Sequence, residues 1–138
     1  MSDELHLDQS AVIPYRKKDK EIEILLITSI RKKKWIVPKG FIEFNLSAFE
    51  SAKKEAYEEA GIIGANETLE LGTIILNRYG GEVMVKVYSM EVIEEIGTYP
   101  EKHLRKRKWF SVSEAIDKIN VPEMVSLIKK LDNSVKCN

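Results

Sequence analysis

The stretch that decides the fold is Ser47-Ala48-Phe49-Glu50-Ser51-Ala52-Lys53-Lys54-Glu55-Ala56-Tyr57-Glu58-Glu59-Ala60-Gly61. Ser47 followed three residues later by Glu50 is a capping box, and Gly61 is typical of the residue that ends a helix. At about 100° per residue, small side chains at every fourth position form one stripe on the helix surface. That stripe consists of Ala48, Ala52, Ala56 and Ala60, with Phe49 beside it. The stretch therefore predicts a helix that packs its alanine face closely against a neighbour.

Three glutamates of this helix are spaced so that their carboxylates cluster. Glu55, Glu58 and Glu59 stand at positions i, i+3 and i+4, where like charges destabilise a helix by about 0.2–0.5 kcal/mol per pair. Glu58 and Glu59 also occupy the last turn, where the helix dipole disfavours negative charge. One interpretation is a solvated acidic face. The other is a divalent cation site, because a hard cation turns the repulsion into coordination by oxygen ligands.

The segments around the helix alternate between β patterns and turns. Gly80-Gly81 suits a tight turn between two long β-rich segments, which predicts a hairpin. Near the C-terminus, Ser113 can cap a helix that runs to Ile119, and Pro122 suits the first turn of a second helix ending near Leu131. Strands are predicted at residues 11–15, 21–29, 35–37, 69–78, 82–93 and 108–110, with a charged turn at 16–20.

Composition and charge limit the classes of protein that the chain can represent. Its 138 residues carry 22 Lys and Arg against 22 Asp and Glu, a formal net charge of zero. We predict one domain over residues 1–138, without the basic excess that binding to duplex nucleic acid or a membrane surface requires. The single cysteine, Cys137, and an N-terminus without the features of a secretory signal lead us to expect a cytoplasmic protein. The oligomeric state cannot be predicted from this pattern.

The helix and the glycine before it resemble the signature of the Nudix hydrolases. In that signature a Gly, five residues, a Glu and seven residues precede Arg-Glu-apolar-x-Glu-Glu-x-Gly-apolar. Gly40 and the run from Lys54 to Ile62 fit this spacing without gaps. Residues 25–29, 35–38, 105–110 and 114–116 are similar to the diphosphoinositol polyphosphate phosphohydrolase branch. The resemblance implies an α+β protein with the Nudix fold, an α/β/α sandwich around a central mixed β-sheet.

Two positions depart from the signature. Leu46 stands where the family has its first Glu, and Lys54 stands where the family has Arg. In the family that Arg commonly pairs with that Glu, so the two changes belong together physically. Another carboxylate must then order the loop before the helix, and the sequence does not choose among Glu43, Glu50 and Glu101.

The resemblance also implies a chemistry and a set of site residues. Mg²⁺ or Mn²⁺, held by Glu55, Glu58, Glu59 and a backbone carbonyl near Lys39 or Gly40, would neutralise phosphate oxygens and lower the pKa of bound water. The same three glutamates are the candidate catalytic residues. Glu58 is the preferred general base, although a base outside the helix is nearly as well supported.

Phosphorylated substrates need cations around them, and two short segments of the chain are basic. They contain ten of the 22 basic residues, and most of those can be solvated side chains that guard strand edges. Because alternate residues of a strand share a face, Arg105 and Arg107 lie on the same side, and both match arginines of the resembling branch. The residues predicted to bind substrate phosphate are Arg31, Lys39, Arg105 and Arg107.

Several functions remain open at this stage. The leading hypothesis is a metal-dependent hydrolase that cleaves phosphoanhydride bonds of a small phosphorylated substrate. Nucleoside-diphosphate-linked compounds, diphosphoinositols and dinucleoside polyphosphates all fit, and Tyr79 at the hairpin turn could reach a nucleobase. The alternatives are a housecleaning nucleotide pyrophosphatase and a degenerate Nudix domain that binds a phosphorylated ligand as a non-catalytic sensor.

Overall fold

A computed structural model describes residues 7–78 and 80–136 of the chain. Tyr79 and Cys137 lie outside the described residues. The strands are β1 Leu7–Lys18, β2 Glu21–Thr28, β3 Trp35–Ile36, β4 Lys39–Phe41, β5 Ile62–Gly64, β6 Glu70–Arg78, β7 Gly81–Glu95 and β8 Arg107–Ser111. The helices are α1 Ala48–Ala60, α2 Val112–Ile119 and α3 Pro122–Lys136. None of these helices is long and apolar enough to cross a membrane.

Strand β1 is the centre of a mixed sheet formed by the eight strands of the described residues. It runs parallel to β7 on one side, and β7 in turn pairs with β5 and β6. On its other side β1 has two antiparallel neighbours, since residues 15–18 pair with β2 and residues 9–11 pair with β4. The two neighbours therefore diverge along β1, and β2 continues outward to β3 and β8.

The side chains of the sheet divide between two cores, one on each face. Val12 of β1 packs with the alanines of α1, whereas its neighbours Ala11 and Ile13 pack on the opposite face beneath α2 and α3. This division follows from the alternation of side chains along a strand. The expected α/β/α sandwich around a mixed sheet is confirmed.

Helix α1 has the boundaries that its sequence predicts. The Ser47 hydroxyl accepts a hydrogen bond from the Glu50 amide, and the Glu50 carboxylate accepts one from the Ser47 amide. Gly61 ends the helix in the left-handed conformation at φ 65°, which glycine adopts without steric cost. A side chain at this position would also collide with the Tyr99 ring. Ala52, Ala56 and Ala60 are fully buried, so the helix backbone lies close to the sheet.

Three local predictions are wrong, and one is the end of the last helix, since α3 extends to Lys136 rather than ending near Leu131. Ser111, not Ser113, caps α2, because Ser111 has the extended backbone of a cap and finds Glu114 three residues later as its capping-box partner. The turn between β1 and β2 contains only residues 19 and 20 rather than the whole charged segment. Arg16 belongs to β1, where its guanidinium contacts the Glu23 carboxylate of β2 at 2.7 Å.

Candidate active site

Glu55 and Glu59 form the centre of the candidate site, one turn apart on the face of α1 that meets the sheet. Both carboxyl groups reach β4 at neighbouring residues, Glu55 at Gly40 and Glu59 at the Lys39 amide, and each influences the pKa of the other. Glu59 is only 7% exposed, which is unusual for a glutamate. Glu58 is half-buried and acts on Glu55 through its charge. Of the three predicted carboxylates, the structure thus brings two together at β4 and leaves the third beside them.

Gly40 of β4 makes room for this pair. A Cβ at Gly40 would lie on top of the Glu55 carboxyl, so any other residue here would displace that side chain. The backbone amide of Lys39, one residue earlier, donates to Glu59 Oε1 at 3.3 Å. The short strand β4 therefore supplies space for the Glu55 carboxyl at Gly40 and a hydrogen-bond donor for Glu59 at Lys39.

Burial shifts the pKa values of the two carboxyls in the same direction. Desolvation raises the pKa of Glu59 to about 8, and the nearby Arg105 opposes this shift. The pKa of Glu55 is also raised, chiefly by burial, and Glu58 contributes by repulsion. In the protein without a cation, burial therefore favours the protonated form of Glu59.

Arg105 is the cation nearest to the buried carboxyl. Its guanidinium lies 4.0 Å from Glu59 Oε2, donates to Glu101 Oε1 at 2.9 Å and donates to the Thr28 carbonyl at 3.2 Å. The amide of Glu101 donates to the carbonyl of Glu58, which ties this loop to α1. Arg105 is predicted to bind phosphate, and the structure places it at the site with its hydrogen bonds directed to protein groups.

Lys54 and Glu43 replace the Arg–Glu pair that the signature would supply. Lys54 Nζ contacts the two oxygens of the Glu43 carboxylate at 2.8 and 3.1 Å, and this contact raises the pKa of Lys54. The amide of Glu43 also donates to the Ser51 hydroxyl at 2.9 Å. Of the three candidate carboxylates, Glu43 therefore anchors the loop before α1, whereas Glu50 caps α1 and Glu101 binds Arg105.

Arg107 has a structural position that the sequence did not indicate. Its guanidinium donates to the carbonyls of Ala60 and Gly61 at 2.8 and 3.1 Å and lies 5.0 Å from the centre of the Tyr99 ring. Helix α1 has no basic residue in its own last turn, so Arg107 supplies the positive charge that the helix dipole favours there. The structure thus places Arg107 at the end of α1, and its binding of phosphate stays a prediction.

The remaining predicted cations, Lys39 and Arg31, line two cavities that both include Ile36 of β3. Lys39 donates to Gln9 Oε1 at 3.4 Å and lines a small apolar pocket of about 70 Å³; burial lowers its pKa. Arg31 lines a cleft of about 570 Å³ whose walls are Ser29, Arg31, Lys32, Lys34, Ile36 and Arg78. We call this the basic cleft.

Arg78 lines both of these cavities, and no pattern in the sequence points to it. Its positive charge helps to lower the pKa of Lys39. A single arginine at the end of a strand carries no local signal of function, since only the fold brings it beside β3 and β4.

The residues present fit a hard divalent cation. Within residues 7–78 and 80–136, no three His, Cys, Asp or Glu side chains stand ready as a metal site. However, the donors around Glu55 and Glu59 are all oxygens, the atoms that Mg²⁺ and Mn²⁺ prefer. Because Gly40 has no side chain, the space next to the Glu55 carboxyl stays open. A cation bound here would compensate the negative charges of both carboxylates.

A sandwich with this topology, a carboxylate pair on α1 and a glycine beneath it together define a domain of the Nudix type. A NUDIX domain family model matches residues 5–131, and the chain belongs to this family. Nudix hydrolase 18, mitochondrial, of Arabidopsis thaliana is 37% identical over 114 residues, which cover 76% of this chain and 64% of that protein. Diphosphoinositol polyphosphate phosphohydrolase 2 of Rattus norvegicus is 34% identical over 103 residues, 71% of this chain and 55% of that protein.

Solved structures show the same fold at lower identity. A C. elegans Ap4A hydrolase binary complex has a TM-score of 0.80 and 23% identity, covering 96% of this chain and 99% of that one. The NUDIX domain of Shewanella oneidensis NrtR, complexed with ADP ribose, has a TM-score of 0.72 and 13% identity, covering 91% and 87%. The aligned segment spans only 52–64% of the first three Arabidopsis relatives.

The raised pKa of Glu59 predicts how the stability of the cation-free protein depends on pH. Because the folded protein favours protonated Glu59, the stabilisation is complete below about pH 4.5 and is lost as the pH rises through about 8. The free energy of unfolding of wild type relative to Glu59→Gln should therefore fall between pH 5 and 9, by up to about 1.4 kcal/mol per pH unit. Urea denaturation in EDTA measures this difference.

Glu67→Gln is the matched control, because Glu67 is an exposed loop carboxylate. Its free energy of unfolding should follow that of wild type across the range. A difference between wild type and Glu59→Gln that stays constant with pH would contradict the buried, protonated state of Glu59.

Proposed function

We propose that the protein is a hydrolase that depends on a divalent cation and cleaves phosphoanhydride bonds. The observation that carries this proposal is the placement of two carboxyls at β4, with Glu55 at Gly40 and the buried Glu59 at the Lys39 amide. A buried carboxylate next to a second, partly buried one is unfavourable for folding, so their position calls for a positive charge. Arg105 supplies only part of it, since it also neutralises Glu101.

Glu55 and Glu59 would hold Mg²⁺ or Mn²⁺, with Glu58 and the backbone near Gly40 completing the set. When bound, such a cation would neutralise phosphate oxygens and make water a stronger nucleophile. The chain's own residues would keep the site in position. The Lys39 amide donates a hydrogen bond to Glu59, and the Arg105 guanidinium partly compensates the charge of the Glu59 carboxylate. The Lys54–Glu43 ion pair holds the loop that leads into α1.

Glu58 is the proposed general base. It is half-buried beside the pair, and its backbone carbonyl accepts a hydrogen bond from the amide of Glu101, which fixes the last turn of α1. A carboxylate in this position, beside the proposed cation and partly open to solvent, can take a proton from attacking water. Glu55 and Glu59 are less suited to this role, because binding a cation requires both of them as ligands.

The basic cleft supports a substrate that carries several phosphates. Four of its six lining residues are cations, and phosphate oxygens are the groups that arginine and lysine bind best. Relatives bear names that fit this class, namely the rat diphosphoinositol polyphosphate phosphohydrolase and the C. elegans Ap4A hydrolase. We therefore propose diphosphoinositols or dinucleoside polyphosphates ahead of damaged nucleoside triphosphates.

The alternative of a non-catalytic sensor rests on the departures at Leu46 and Lys54. In the structure Lys54 has a carboxylate partner in Glu43, so the order that the family's Arg–Glu pair provides is present by another route. This contact favours the hydrolase over the sensor.

The first test of the proposal is hydrolysis of a substrate panel with Mg²⁺ or Mn²⁺. Glu59→Gln should reduce turnover to background, because an amide cannot supply the negative charge that holds the cation. Glu58→Gln should lower kcat by about 100-fold or more if Glu58 takes the proton. Glu67→Gln should leave kcat and KM unchanged, since Glu67 lies exposed in a loop. Full turnover by Glu59→Gln, or binding of phosphorylated ligands without turnover by wild type, would refute the hydrolase.

Arg78 provides a test of the substrate class. If the basic cleft binds phosphates beyond the anhydride that is cleaved, Arg78→Gln should raise KM about tenfold for a substrate with many phosphates and change kcat little. A nucleoside diphosphate sugar, which has only two phosphates, should be affected much less.

Lys86→Gln is the matched control, since Lys86 is an exposed cation on the strand paired with β6 and lines none of the described cavities. Steady-state kinetics with both substrates separate the outcomes. An equal KM for Arg78→Gln and Lys86→Gln with the highly phosphorylated substrate would exclude the cleft from substrate binding.

A further inference from the structure

Ser10 of β1 is a buried serine whose hydroxyl has no partner. Its side chain is 0% exposed, and its Oγ makes no hydrogen bond within the described part of the chain. Burying a hydroxyl without a partner is unfavourable, and native structures contain few such groups. The interior of a sheet strand also favours apolar and β-branched residues over serine. Neither packing nor secondary structure explains a serine at this position.

The strand register places Ser10 beside the carboxylate pair. Ser10 lies directly opposite Gly40 in the antiparallel pairing of β1 with β4. Because side chains alternate along β1, Ser10 shares a face with Val12, which packs in the core beneath α1. The hydroxyl is therefore on the same side of the sheet as Glu55 and Glu59.

Gly40 brings the Glu55 carboxyl within reach of this hydroxyl. Directly opposed residues of antiparallel strands have Cβ positions about 4.5–5.5 Å apart. The Cβ position of Gly40 is occupied by the carboxyl of Glu55. The Ser10 side chain and the Glu55 carboxyl are thus neighbours across an otherwise empty glycine position, one with an unused donor and the other with acceptor oxygens.

We propose that Ser10 is a positioning residue, whose hydroxyl donates to the Glu55 carboxylate when a divalent cation is bound. This rests on the proposed function, since it assumes that Glu55 and Glu59 hold the cation. The Ser10 hydroxyl is a buried donor without a partner, and the glycine opposite it leaves the Glu55 carboxyl as its neighbour on the same face of the sheet. By donating to that carboxylate, Ser10 would orient Glu55, as groups behind metal ligands do elsewhere.

The test measures Mn²⁺ binding by electron paramagnetic resonance, together with stability in EDTA. Ser10→Ala should weaken Mn²⁺ binding about tenfold, while the urea midpoint in EDTA should not fall, because the variant removes an unsatisfied group. Ser10→Cys restores volume but is a poor donor, so it should bind Mn²⁺ as weakly as Ser10→Ala.

Ser89→Ala is the control for loss of a buried serine. The Ser89 side chain is 6% exposed and its hydroxyl accepts a hydrogen bond from the Leu69 amide at 2.9 Å. This variant should be less stable in EDTA than wild type and should keep the wild-type affinity for Mn²⁺. A merely structural role for Ser10 would give the same pattern as Ser89.

The outcomes distinguish a failure of the Ser10 role from a failure of the proposed cation site. If wild type binds Mn²⁺ and Ser10→Ala binds it equally well, Ser10 does not position Glu55 and the inference fails alone. If Ser10→Cys restores binding, volume rather than hydrogen bonding is responsible, and the inference also fails. If wild type binds no Mn²⁺, the cation site itself is refuted.

Discussion

The close approach of the Glu55 and Glu59 carboxyl groups to β4, with Glu59 buried where α1 meets the sheet, is the constraint on which the rest of the site depends. Folding takes the Glu59 carboxyl out of water beside the partly buried Glu55, and positive charge or a proton makes that arrangement favourable. The surrounding structure is arranged for this approach. The alanine stripe lets α1 approach the sheet, Gly40 leaves space for one carboxyl, and the Lys39 amide donates to the other.

Although the chain has zero net charge, its basic residues differ in what they contact. Arg105, Lys54 and Arg107 are bound to protein groups around α1: a pair of glutamates, the loop before the helix and the carbonyls at its end. The cations of the basic cleft contact no carboxylate among the ion pairs of the described residues. Arg105 and Arg107 belong to one basic segment of the sequence, whereas Arg31, Lys32 and Lys34 of the basic cleft belong to the other.

The sequence predicts those features that depend on neighbours along the chain. Helix α1 and the β6–β7 hairpin carry local signals in the form of a capping box, an αL glycine and a Gly-Gly turn, and the structure has both elements. The sequence places two serines, Ser111 and Ser113, near the start of α2, and only the extended backbone at the end of β8 identifies Ser111 as the cap. No local pattern reveals the surroundings of Arg107, Arg78 and Ser10, because the residues next to them in the fold are 30 or more positions away in the sequence.

The most direct test of the cation site is the anomalous diffraction of Mn²⁺ in crystals of the wild-type protein. The account predicts an anomalous peak within coordination distance of carboxylate oxygens from both Glu55 and Glu59, next to Gly40, and loss of that peak in Glu59→Gln crystals of the same form. A peak at a different place, or fully ordered Glu55 and Glu59 side chains without a peak at saturating Mn²⁺, would contradict the central claim.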